Sequence, residues 1–97
     1  MEADRHHLPP AFDALEEEAA GLGACVARAR LHGARGLWDC AARTIWIEAA
    51  YSDAWAAPVL AHELEHVRRG HTGPQGPGIE RLIDERVARL FVDPVRY

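Results

Sequence analysis

His62-Glu63-Leu64-Glu65-His66, framed by Val59-Leu60-Ala61 and Val67-Arg68-Arg69-Gly70, decides how the chain is read. Gly70 stands where a helix C-cap belongs, Ser52 or Asp53 can cap the start, and Pro58 is tolerable if it lies in the first turn. These marks predict a helix from roughly Ala57 to Arg69. Residues four apart on a helix lie one above the other, so His62 and His66 share a face. Downstream, Gly70-His71-Thr72-Gly73-Pro74-Gln75-Gly76-Pro77-Gly78 cannot continue a helix and predicts a loop. Ile79, Leu82, Ile83, Val87, Leu90 and Phe91 then recur at helical spacing up to Asp93-Pro94, predicting another helix.

Upstream, Phe12, Leu15, Ala19 and Leu22 fall at spacings of three and four, an amphipathic helix between Pro9 and Leu22. Cys25, Ala27, Ala29 and Leu31 alternate with Val26, Arg28 and Arg30 at a period of two, which predicts a strand. Gly36-Leu37-Trp38-Asp39 and Arg43-Thr44-Ile45-Trp46-Ile47-Glu48 predict two more strands around Cys40-Ala41-Ala42. The expected class is α+β: an N-terminal helix, a short three-stranded antiparallel or mixed sheet, and two later helices. The 97 residues suit one domain over 1–97, with 1–8 expected as a flexible N-terminus. So small a core gains from a metal or a partner.

Eleven basic against fifteen acidic residues leave a net charge of −4, which argues against direct nucleic-acid binding. No apolar run has the length of a membrane span. Cys25 and Cys40, with no signal peptide at the charged start Met1-Glu2-Ala3-Asp4-Arg5, fit a reduced, cytoplasmic compartment. They are expected as small buried apolar side chains, since no CxxC spacing supports a zinc role for them.

The central helix carries H-E-x-x-H, in which two imidazoles on one face can bind Zn²⁺ with Zn–N at about 2.0–2.1 Å. Glu63 lies about 100° further round, so its carboxylate reaches a water rather than the ion and suits a general base. Catalytic zinc usually takes three protein ligands. The metzincin arrangement fails, because Gly70 and His71 follow His66 out of register. In the last helix Glu80 and Asp84 lie four apart beside the apolar stripe. Glu80 can then be the third ligand while Asp84 accepts the outer N–H of a ligating histidine. Glu85 points away from that stripe and is the weaker candidate. A solvated acidic face is the alternative for all three.

Thr44-Ile45-Trp46-Ile47, the run from Val59 to His71 and then Glu80 to Val92 together resemble the ImmA/IrrE family of gluzincin metallopeptidases. The resemblance spans about Leu15 to Pro94. It implies a helix, a small sheet, an HExxH helix and a helix supplying a glutamate ligand. On that pattern His62, His66 and Glu80 would hold Zn²⁺, Glu63 would be catalytic, and Asp84 takes the family's Asn/Asp place. An alternative alignment makes Glu85 the third ligand. Glu65 stands where the family commonly has glycine, Ile83 where it has alanine, and Arg86 where it has an aromatic. The resemblance implies an intracellular peptidase acting on a protein such as a transcriptional repressor, here as a minimal stand-alone domain.

The expected function is therefore zinc-dependent peptide hydrolysis. An extended substrate could pair with an exposed sheet edge, for which Thr44 to Glu48 is the candidate, the alternative being an inner strand. Tyr51, His71 and Tyr97 are available in type as oxyanion donors, while Trp38 and Trp55 are expected in the core. The rival reading is a non-hydrolytic, zinc-stabilised protein-interaction module, its site plugged by a side chain such as Glu65. A DNA-binding regulator is disfavoured by the charge and the lack of a basic recognition helix.

Overall fold

A computed structural model describes residues 8–73 and 75–91. Residues 1–7, most of the segment expected as a flexible N-terminus, lie outside them. Helix α1 (Phe12–Gly21) is followed by strands β1 (Cys25–Ala29), β2 (Gly36–Asp39) and β3 (Thr44–Glu48), then helices α2 (Asp53–Arg68) and α3 (Pro77–Phe91). The fold is α+β with a mixed sheet of order β1-β3-β2. The spacing of three and four in α1 is realised as a buried stripe of Phe12, Leu15 and Ala19.

β2 returns to β3 antiparallel through the turn after Asp39, whose carboxylate accepts the Ala42 N–H at 3.1 Å. β1 then takes the other side of β3, in parallel, with Cys25 opposite Thr44 and Ala29 opposite Glu48. Thr44 to Glu48 is therefore the middle strand, not the exposed edge proposed for a substrate. Both of its hydrogen-bonding sides are occupied, and Ile45 and Ile47 are fully buried. The edge beside α2 belongs to β2.

α2 starts four residues earlier than expected, because Ser52 Oγ accepts the Trp55 N–H at 3.3 Å and caps the helix there. Pro58 consequently sits in the second turn, where its missing N–H leaves the Ala54 carbonyl without its helical donor. α1 packs on one side of α2, α3 on another, and β2 and β3 on a third. Leu60 and Leu64 of α2 meet Ile45, Ile47 and Ile83 in the fully buried centre. Trp38 is buried as expected, but Trp55 is 75% exposed, since it lies in the capped first turn. Cys25 is exposed rather than buried, Cys40 is half-buried, and both are free thiols. No helix of the described residues is long and apolar enough to cross a membrane.

Candidate metal centre

His62 and His66 are four positions apart on the helix, and the rings stand with centroids 5.1 Å apart. α3 crosses this face and brings in Glu80, whose Oε1 lies 3.1 Å from His62 Nε2 and 3.3 Å from His66 Nε2. One ligand atom from each of the three residues falls within 4.8 Å of the others. Tetrahedral ligands at about 2.0–2.1 Å from one ion stand about 3.3 Å apart, so the Glu80 separations could hold a metal ion. His71 and Glu85 are outside this group, and Glu85 is exposed.

The far side of each candidate ligand is occupied. His62 Nδ1 meets Asp84 Oδ1 at 2.9 Å, the outer carboxylate that the spacing of Glu80 and Asp84 predicts. His66 Nδ1 meets His71 Nδ1 at 2.8 Å, and the Gln75 N–H donates to Glu80 Oε2 at 3.2 Å. With those atoms engaged, both Nε2 atoms and Glu80 Oε1 are left facing one another. Outer partners of this kind fix ring orientation and tautomer in metal sites.

Sequence reasoning discounted His71 as a ligand and missed its place behind one. Gly70 ends α2 in the left-handed conformation, φ 73°, so the His71 N–H turns back onto the His66 carbonyl at 3.0 Å and the Gly70 N–H onto Val67. That cap returns the third residue beyond the helix to its third-last residue, here His66. The Trp38 indole of β2 donates to the His71 carbonyl at 2.9 Å and ties the turn to the sheet. The glycine before His71 was the available signal.

Glu63 is 9% exposed and accepts the Trp38 backbone N–H. Burial, with Glu80 nearby, pushes its carboxyl up to about 6, against the pull of His62 and the Trp38 N–H. Burial also lowers the basicity of His66, partly offset by Glu80. For Glu80 burial acts upward, but the Gln75 N–H together with His66 and His62 holds its carboxyl below the usual range. β2 comes close enough for these contacts because Gly36 has no side chain. A Cβ there would lie 2.5 Å from Val59 Cγ1 and 3.3 Å from Glu63 Cγ.

Glu65 does not plug the site. Its carboxylate points to the opposite side of α2, where Arg68 Nη1 donates at 2.9 Å, Arg69 Nε at 3.4 Å, and Arg86 Nε lies at 3.5 Å. Arg68 also pairs with Glu18 of α1. Of the side chains considered as oxyanion donors, Tyr51 packs against the core and the His71 ring is engaged by His66, while Tyr97 lies outside the described residues. No protein-family model matches the chain, and no curated protein or solved structure matches it either.

Proposed function

We propose that the chain is a zinc-dependent metallopeptidase of gluzincin type, with His62, His66 and Glu80 as metal ligands and Glu63 as general base. The observation that carries this reading is a buried carboxylate with no arginine paired to it among the described residues, set beside three candidate ligand atoms whose outer partners are already in place. Zinc, when bound, polarises the scissile carbonyl and acidifies water. Glu63, its carboxyl pushed up to about 6 by burial, takes a proton from the attacking water and hands it to the leaving amine. The Trp38 N–H holds that carboxylate in position. The substrate is an extended peptide laid along β2, since Gly36, Leu37 and Trp38 line the cleft together with the metal ligands. The resemblance to the ImmA/IrrE family supports a cytoplasmic protein target such as a transcriptional repressor.

Metal content and hydrolysis of an unfolded protein test the proposal. Wild type and Glu85→Gln should each hold about one zinc by elemental analysis, and Glu80→Gln should lose it. Wild type should cleave in a chelator-sensitive way and Glu63→Gln should not, with a loss of about 10²- to 10⁴-fold. Absence of bound zinc, or a Glu63→Gln variant as active as wild type, overturns it. Zinc bound without hydrolysis would leave the interaction module as the account of the site.

A further inference from the structure

α1 and α3 both pack on α2, and between them, away from the metal centre, lies an open-mouthed groove of about 450 Å³ that shares no lining residue with the cleft. Its floor is Leu15 and Ala61, both buried, with Pro10 and Leu90 at its sides. Its charged walls are Glu18 and Glu65 against Arg68, Arg86 and Arg89. Cations therefore outnumber carboxylates here, although the chain as a whole carries −4.

The carboxylates are already spoken for. Glu65 Oε2 accepts from Arg68 Nη1 at 2.9 Å, its Oε1 accepts from Arg69 Nε at 3.4 Å, and Arg68 also pairs with Glu18. Arg86, 56% exposed, approaches Glu65 Oε1 through Nε at 3.5 Å, on an oxygen that Arg69 shares. Arg89 has no hydrogen bond or ion pair among the described residues. Arg86 and Arg89 are three apart on α3, so they stand as neighbouring like charges, which repel until an anion lies between them.

A guanidinium is a planar fork of N–H donors that grips two oxygens of a carboxylate or phosphate. A carboxylate has two oxygens and serves one fork, whereas a phosphate monoester presents three on a nearly doubly charged group and serves two. A cavity of 450 Å³ is within the range that holds a small ligand, and the buried floor favours one with an apolar body. We propose that this groove binds a small organic phosphate monoester, its phosphoryl group held by Arg86 and Arg89 and its apolar part laid on Leu15 and Ala61. The inference stands apart from the peptidase reading, since it uses none of the residues of that site.

Calorimetric titration of the full chain with hexyl phosphate tests it. Binding should be detected, and the melting temperature should rise with ligand concentration. Inorganic phosphate, which lacks the apolar body, and hexanoate, which serves one fork, should each bind about 10- to 100-fold more weakly. Arg89→Gln removes a side chain with no partner to lose among the described residues, so it should weaken hexyl phosphate by about 10- to 100-fold without changing the melting temperature of the ligand-free chain. Arg86→Gln should weaken it similarly, while Arg81→Gln, at an exposed position of α3 outside the groove, should leave it unchanged. Failure to bind hexyl phosphate overturns the inference. So does binding that survives both Arg86→Gln and Arg89→Gln but is lost in Glu80→Gln, which would put the phosphate on the metal. Capture of the chain by vesicles of phosphatidylcholine and phosphatidate, with no affinity for hexyl phosphate, overturns it too by moving the phosphate source to a membrane.

Discussion

Glu63 and Glu65 sit two residues apart on α2, and each is 9% exposed, yet the helix offers them opposite surroundings. Glu65 turns toward α1 and α3 and is met by Arg68, Arg69 and Arg86. Glu63 turns toward β2 and meets a backbone N–H, a histidine and the carboxylate of Glu80, with burial pushing its carboxyl up to about 6. A buried charge surrounded by guanidinium groups fastens helices together. A buried charge left without one is held in a state that favours taking up a proton, and such groups gather where chemistry is done. The same residue type on one helix therefore serves as scaffold on one face and as candidate base on the other.

Replacing each glutamate in turn tests that contrast most severely. Glu63→Gln should make the metal-free protein more stable at pH 7, by about 1–2 kcal/mol, because it removes a charge that burial disfavours. A raised carboxyl contributes stability that is present below the unfolded-state value of 4.5 and is lost as pH rises through about 6. The gain over wild type should therefore be full above pH 6 and fade toward pH 4.5, as read by urea denaturation in chelator. Glu65→Gln should do the reverse at pH 7 and destabilise by about 1–3 kcal/mol, since three arginines lose their shared acceptor. If both variants shift stability in the same direction, the contrast fails.

A finer contrast separates the two histidines. His62 is backed by the Asp84 carboxylate and His66 by the imidazole of His71. Loss of an outer partner typically weakens metal binding by about 10- to 100-fold. Asp84→Asn should fall at the upper end, because a carboxylate makes the ligating nitrogen more basic, and His71→Ala at the lower end. Competition with a chromophoric zinc chelator measures both. Equal, negligible losses would show that the outer atoms do not position the rings.

Much of this was legible in the chain. β2 forms where turn residues mark it, β1 starts at Cys25 as the alternation suggests but ends at Ala29, two residues short of Leu31, and β3 starts one residue later than expected. His62, His66, Glu80 and Asp84 converge as helical spacing predicts, because each pair is four apart on one element. The order of the strands was not legible, since pairing is decided by long-range packing rather than by any local signal. Ile45-Trp46-Ile47 did carry a hint, being apolar on both faces as a middle strand requires. The early start of α2 was hidden because Pro58 suggested a first turn, whereas Ser52 at the cap outweighed it. The direction of Glu65 depended on where α1 and α3 pack, which its own neighbours in sequence do not reveal.

The mixed sheet also sets an order of events in time. Asp39 meets Thr44 five residues on, while Cys25 must be carried to Thr44 across nineteen. Closing the shorter loop costs about 1 kcal/mol less chain entropy, so the β2–β3 hairpin forms before β1 docks. Asp39→Ala, which removes the acceptor inside that turn, should chiefly slow refolding, while Val26→Ala in β1 should chiefly hasten unfolding, as stopped-flow kinetics would show. The strand that presents Gly36 and Trp38 to the helix is thus among the first pieces of the molecule to exist, ready as a template when His62 and Glu63 arrive against it.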